Sequence, residues 1–193
     1  MAVEWNDEHR EALVELLKRD SLRLGQFTLA SGRRSHYYID GRKVTLSAEG
    51  ARLIGRGVLS ILWGRPGIAA VGGLTLGADP IVGASLALAN GFGMGTLKGF
   101  LVRKQAKGHG TGNQVEGPLE PGSTVAIVDD VATTGGSSLK AVEAVEAMGC
   151  KVAVVVAVLD RLEGAHEAFE ARGLEFHRLL TIRDLGVEPL ERL

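Results

Sequence analysis

Asp129 and Asp130 stand side by side at the end of the apolar, β-branched run Thr124-Val125-Ala126-Ile127-Val128, and Val131-Ala132-Thr133-Thr134-Gly135-Gly136-Ser137-Ser138 follows them. Carboxylates accept hydrogen bonds and do not ligate phosphate. An adjacent pair suits hydroxyl donors, or a metal ion that phosphates carry. The loop offers the complementary half: backbone N–H groups and hydroxyls beside a helix N-terminus, where partial positive charge favours phosphate. Leu139, Val142, Val145 and Met148 recur at helical spacing and predict a helix over 137–148. Strand, acidic tip, anion loop and helix together suit a ligand with both sugar hydroxyls and a phosphate. The plain alternative is an ordinary βα turn in which Ser137 caps the helix and the Asp pair is solvated. A loop with two Gly and four hydroxyl residues is richer than such a turn needs. The stretch lacks the Lys of a P-loop and the glycine spacing of a dinucleotide fold.

A second group of residues is cationic. Arg103-Lys104-Gln105-Ala106-Lys107-Gly108-His109-Gly110-Thr111-Gly112-Asn113 is basic, Gly-rich and without periodicity, and no acidic residue occurs between Asp79 and Glu116. Lys98, Arg103, Lys104, Lys107 and His109 therefore share one acid-free region. It reads either as a solvated charge run or as a loop that moves and closes over a ligand. Arg161 follows Asp160 directly. Its donor fork suits a planar carboxylate, and a surface ion pair with Asp160 or Glu163 is the other reading. Tyr37 and Tyr38 either wall a flat base or pack on the core.

These residues need a scaffold, and the composition bounds it. The chain has 193 residues, 45% of them hydrophobic, which is one ordinary domain with a sizeable core. A net charge of −1 provides no basic field for nucleic acid or a membrane surface. Cys150 is the only cysteine, so no internal disulfide forms and a reducing cytoplasmic setting is expected; as a small buried hydrophobe it needs no reactive role. Glu4, Asp7 and Glu8 exclude an apolar signal core, and no apolar stretch is long enough to span a bilayer.

Periodicity predicts helices over 7–19, with Asn6 as cap, and over 48–63, ended by Gly64-Arg65-Pro66-Gly67. Between them, Phe27-Thr28-Leu29 and His36–Asp40 read as a hairpin around Ser31–Ser35. Strands are expected over 68–71, 99–102, 124–128, 151–159 and 175–182, alternating with helices near 79–90, 137–148 and 164–172. Continuous apolar strands such as Val152–Leu159 fit a sheet covered on both faces. The expected architecture is α/β: an open, mainly parallel sheet flanked by helices over 64–183, with a small N-terminal hood over 1–46, in a single domain. Ligands of such sheets lie beyond the carboxyl ends of the strands, where Asp129, Asp160 and the Gly72–Gly77 loop converge.

Val128-Asp129-Asp130-Val131-Ala132-Thr133-Thr134-Gly135 resembles the phosphoribosyl-diphosphate (PRPP) signature of type I phosphoribosyltransferases. Arg103–Gly110 resembles the catalytic loop of the orotate phosphoribosyltransferase family. Phe27-Thr28-Leu29-Ala30-Ser31-Gly32-Arg33, Tyr37-Tyr38 and Val158-Leu159-Asp160-Arg161 resemble its N-terminal and orotate-binding segments. The resemblance implies that orotate and PRPP give orotidine 5′-monophosphate and diphosphate, with Mg²⁺ carried by PRPP rather than held by direct protein ligands. It implies that Asp129 and Asp130 take the ribose hydroxyls. Val131, Ala132, Thr133, Thr134, Gly135, Gly136 and Ser137 would cradle the 5′-phosphate. Thr133, Arg161, Tyr37 and Tyr38 would approach orotate, and Arg103, Lys104, Lys107 and His109 would neutralise the diphosphate. Lys107 and His109, with Asp130, form the expected catalytic set. A homodimer whose basic loop is shared across the interface is also implied. Two family lysines are missing, at Ala30 and Leu76, and Arg33, Arg34, Arg42 and Lys43 are the candidates to replace them. A purine phosphoribosyltransferase and a PRPP-sensing regulator of nucleic acid are the competing readings. Arg161 with the Tyr pair argues against the first, and the absence of an evident helix-turn-helix against the second.

Overall fold

The computed structural model describes residues 4–28, 32, 34–105 and 114–190. Its centre is a six-stranded sheet in the order β5-β4-β3-β6-β7-β8. The strands are β3 (Ala70–Leu74), β4 (Lys98–Val102), β5 (Val115–Glu116), β6 (Thr124–Ala132), β7 (Lys151–Asp160) and β8 (Phe176–Thr181). Every pairing is parallel except that of β4 with β5. The Val- and Ile-rich runs are extended because β-branched side chains fit a pleated surface, and they are continuous because both faces are covered.

Alternate residues of the strands feed two cores. Ala126, Val128, Val154, Val156 and Val158 pack with α3 (Ala48–Trp63), α4 (Asp79–Ala89) and the N-terminal helix α1 (Asp7–Leu16). Val125, Ile127, Val155 and Ala157 pack with α5 (Gly136–Glu146) and α6 (Ala165–Glu170). No helix among the described residues is long and apolar enough to cross a membrane.

The N-terminal hood follows local rules. Asn6 caps α1 by accepting from the His9 N–H at 3.1 Å. The helical turns continue to Ser21, but residues 17–21 widen into a π-helix, so the regular helix is shorter than its periodicity predicts. An antiparallel hairpin, β1 (Leu22–Thr28) with β2 (Arg34–Ile39), leads to a single helical turn, α2 (Arg42–Thr45). Ser47 then caps α3 by accepting from the Gly50 N–H at 3.1 Å.

Two strand boundaries differ from expectation in ways that shape the site. β3 runs from Ala70 to Leu74, which moves the following connection to residues 75–78. β6 runs on to Ala132, so Asp129 and Asp130 are strand residues rather than the start of a loop. Its partner β7 is long enough to pair as far as Ala132 with Asp160, and that ladder outlasts the one with β3. The short α2 and β5 carry too few residues to show a period.

Under the site lies Phe169 of α6. It is fully buried and packs on Phe176 with ring centroids 4.8 Å apart. A Cβ added to Gly135 would lie 3.0 Å from its ring, and Gly135 has φ +80°, a region that glycine adopts without strain. Phe169→Ala is expected to cost about 3–5 kcal/mol in chemical denaturation and to loosen the loop above it. A cost below about 1 kcal/mol would contradict that support role.

Candidate active site

The order in which strands are added to the sheet reverses between the parallel neighbours β3 and β6. From β3 the chain moves outward to β4, whereas β6 leads the other way to β7 and β8. A crevice opens at the carboxyl edge of such a switch, and the acidic pair sits there. Asp129 is buried, and its Oδ2 accepts from Ser138 Oγ at 2.9 Å while its Oδ1 accepts the Asp130 N–H at 3.0 Å. Burial, and next the charge of Asp130, push Asp129 well above the usual carboxylate range. Asp130 is more open. Glycines crowd it from two sides: a Cβ on Gly77 would lie 2.5 Å from its Oδ1, and one on Gly41 would lie 3.0 Å from its Oδ2.

Two cavities flank the pair. One, of about 310 Å³, is lined by Val131, Thr133, Thr134, Gly136, Ser137 and Lys140, along with Asp129. It lies against the first turn of α5, whose leading N–H groups have no intrahelical partner. The other, of about 200 Å³, is lined by Arg42, Thr75, Leu76, Lys104, Asp129 and Asp130, among others. The first suits a phosphate and the second a longer polyanion, since the exposed Arg42 and Lys104 face the carboxylates across it.

The structure therefore gathers Asp129, Asp130, the whole 131–137 loop and Lys104 at one edge. Arg103 lies just outside, with its Nε donating to Glu116 Oε1 at 3.0 Å. Lys107 and His109 fall outside the described residues, as do Ala30 and Arg33. Of the three candidates among the described residues, Arg42 lines the cavity that Leu76 also lines, whereas Arg34 lines a separate one beside Phe27 and His36. Its guanidinium is steadied by Asp40, with Nε 2.9 Å from Oδ1 and Nη2 3.2 Å from Oδ2. Sequence reasoning does not single out Lys140 or Ser138 as site residues. The signal for Lys140 is its i, i+3 spacing from Ser137 on the first turn of α5.

Arg161 and Tyr37 form a separate, buried cluster. The Arg161 Nε donates to the Tyr37 hydroxyl at 3.0 Å, the guanidinium carbon stands 4.8 Å from the ring centre, and Nη2 lies 2.9 Å from Glu163 Oε1. The ion pair with Glu163 is thus real, but it is interior rather than on the surface. Burial pushes the Tyr37 hydroxyl up to about 12. Tyr38 points to the other face of β2, 40% exposed, its ring 5.8 Å from Phe27. Neighbouring strand residues alternate sides, so the two rings do not form one wall; Tyr38 is the ring a ligand reaches without rearrangement.

A parallel sheet with an acidic strand tip, a hydroxyl-rich anion loop and a helix N-terminus at its switch point is the arrangement of a phosphoribosyltransferase. The phosphoribosyl transferase domain family matches residues 82–171. The orotate phosphoribosyltransferase of Rhodopirellula baltica is 53% identical over 182 residues, 92% of this chain and 94% of that protein. That of Thermosynechococcus vestitus is 48% identical over 177 residues, 91% of this chain and 92% of the relative. The crystal structure of Mycobacterium tuberculosis orotate phosphoribosyltransferase in complex with PRPP superposes with a TM-score of 0.75 at 39% identity, covering 93% of this chain and 99% of that one. The chain belongs to the orotate phosphoribosyltransferase family.

Proposed function

We propose the following division of labour among this chain's residues in the transfer of the 5-phosphoribosyl group from PRPP to orotate, which yields orotidine 5′-monophosphate and diphosphate for pyrimidine biosynthesis. Asp129 and Asp130 accept the ribose 2′- and 3′-hydroxyls. Residues 131–137, with α5 behind them, hold the 5′-phosphate. Arg42 and Lys104 take the diphosphate end, joined by Arg103, Lys107 and His109. The observation that carries this reading is the junction of the two cavities at Asp129 and Ser137: phosphate chemistry on one side, cations on the other, carboxylates between. Thr133 and Tyr38 are the groups that approach the base, and Arg161 reads its carboxylate. Arg42 fills the role that Leu76 cannot.

The mechanism follows from charge. Breaking the bond from C1 of ribose to diphosphate leaves positive charge on the sugar and negative charge on the leaving group. Cations already positioned at the diphosphate stabilise the second charge without reorganising. The two Asp, held by Ser138 and by the close glycines, fix the ribose so that the base meets the opposite face of C1.

Mg²⁺ fits this donor set in one way. Among the described residues no three His, Cys, Asp or Glu converge to hold a metal ion. The acidic pair offers one open carboxylate and one that is buried and already bonded to Ser138. Such a set suits a cation delivered on the substrate's diphosphate, and Asp130 is the residue that would help to hold it. When bound, the cation supplies charge neutralisation of the leaving diphosphate.

Mixing the protein with PRPP, Mg²⁺ and either orotate, uracil or hypoxanthine tests the substrate. Orotate alone is expected to be consumed; consumption of hypoxanthine overturns the reading. Lys107→Ala is expected to lower turnover far more than it raises the KM for orotate, and equal changes would refute its role at the leaving group. The homodimer with a shared basic segment has its own test. Mixed Lys107→Ala and Asp130→Asn subunits should regain activity that neither has alone. No recovery after subunit exchange would show that each site is built from one chain.

A further inference from the structure

Glu163 lies in the turn between β7 and α6, a place where carboxylates are normally solvated. Here the residue is 5% exposed. Acidic side chains are almost never so buried unless they are paired. Its Oε1 accepts the Tyr37 hydroxyl at 2.9 Å and lies 2.9 Å from Arg161 Nη2. The same Tyr37 oxygen accepts from Arg161 Nε at 3.0 Å. Hydroxyl, carboxylate and guanidinium thus close a small ring, with the Tyr37 aromatic face beneath the cation. The partners come from β2 of the hood and the end of β7, 124 to 126 positions apart.

Two features point beyond a structural strap. A buried ion pair is a weak source of stability, because desolvation offsets most of the attraction. Arg161 is also not fully used: among the described residues its buried Nη2 approaches Glu163 without the alignment of a hydrogen bond and finds no other acceptor. A guanidinium oriented on one side, with donor capacity left, is prepared to bind an anion.

We propose that Glu163 is a positioning residue for the base. It holds Arg161 in one rotamer and docks Tyr37 of the hood against it, so that the remaining guanidinium N–H groups meet the orotate carboxylate. This rests on Arg161 reading that carboxylate, as set out above. Glu163 itself touches no substrate. Neutralising part of the Arg161 charge also lets the guanidinium stay buried between substrates.

The test is Glu163→Gln, which keeps the shape and an acceptor and removes the charge. Its KM for orotate is expected to rise at least tenfold while its KM for PRPP stays within twofold, and preference for orotate over uracil should fall in parallel. Tyr37→Phe removes only the hydroxyl and should move the same constant in the same direction by less. It also serves as the readout if Glu163→Gln does not fold. Glu163→Asp, which keeps the charge, should lie between Glu163→Gln and the parent. Equal rises in both KM values, or no rise for orotate, would overturn the positioning role. Arg161→Gln separates the two layers. If it raises the orotate KM and the Glu163 and Tyr37 variants do not, only the positioning role fails. If it leaves the orotate KM unchanged, the reading of Arg161 fails and takes the proposal with it.

Discussion

Replacing Asp129 with Asn is expected to lower kcat/KM for PRPP and, in the same molecule, to stabilise the free protein at neutral pH. The first effect follows from its place at the acidic tip, buried and shared by both cavities. In the proposed role at the ribose hydroxyls, the ionised carboxylate is worth about 1.5–3 kcal/mol, or roughly 10- to 100-fold in rate, at pH above about 7 where it has lost its proton. The second effect follows from what burial does to the carboxyl. It is pushed from its usual 3.8 up to about 7, first by desolvation and then by Asp130. The folded chain therefore keeps a proton that the unfolded chain has already lost. Stability is complete below the unfolded value and declines as pH rises through that window, since the folded state binds more protons there. Asn does not titrate, so the decline should shrink. The gain at about pH 8 is on the order of 1–3 kcal/mol, and it should vanish only below the unfolded value of 3.8, where the carboxyl is neutral in both folded and unfolded chains. Melting curves across that range decide the matter: a variant whose stability falls with pH as steeply as the parent's would refute the assignment. An exchange of stability for function at one residue is what a strained substrate site predicts.

The pair Gly73 and Gly77, four positions apart, should separate folding from catalysis. At Gly73 a Cβ would lie 2.2 Å from the Val128 carbonyl oxygen and 2.7 Å from the Ala78 Cβ. The first of these is backbone of the adjoining strand β6, which cannot yield without opening the β3–β6 ladder. Gly73→Ala is expected to cost about 3 kcal/mol or more, read by denaturant titration. At Gly77 the obstruction is the Asp130 carboxyl, 2.5 Å away at Oδ1 and 3.1 Å at Cγ. That side chain can rotate, so Gly77→Ala should leave stability within about 1 kcal/mol while displacing the carboxylate from its working position. Activity should fall by roughly 100-fold, as for other misplacements of about 1 Å. A Gly77→Ala protein with normal kinetics would show that Asp130 does not work from the position described here; a Gly73→Ala protein of normal stability would contradict the packing at the sheet centre.

Much of the scaffold is legible in the chain because it is local. The apolar run from Val152, the cap at Asn6, and the 3.6 spacing behind Ser137 each depend on neighbours within a turn or two. Helix α3 spans the expected 48–63 and ends where its Gly-Arg-Pro-Gly stop places it. The errors have the same origin. The extension of β6 through Asp129 and Asp130 depends on β7 being present to pair as far as Asp160; two adjacent carboxylates carry no strand signal of their own. The π-helix at 17–21 carries no signal of its own, since its sequence continues the amphipathic pattern of α1.

The acidic tip and the anion loop are legible in the sequence alone, since each is a run of contiguous residues whose chemistry is written in their types; of the cationic segment, residues 106–113 lie outside the described ones. Which cation stands beside Leu76, which tyrosine is open to a ligand, and what turns Arg161 were decided by tertiary structure. Arg42 reaches the crevice because the hood folds over β6, where Gly41 admits the Asp130 carboxyl. Tyr37 and Tyr38 are chemically alike, and only the face that β2 turns to the core separates them. Glu163 meets Tyr37 across 126 positions. No period or propensity encodes such a meeting: it arises from the register of β7 and the docking of the hood, both set by burial of the whole core rather than by any segment of it.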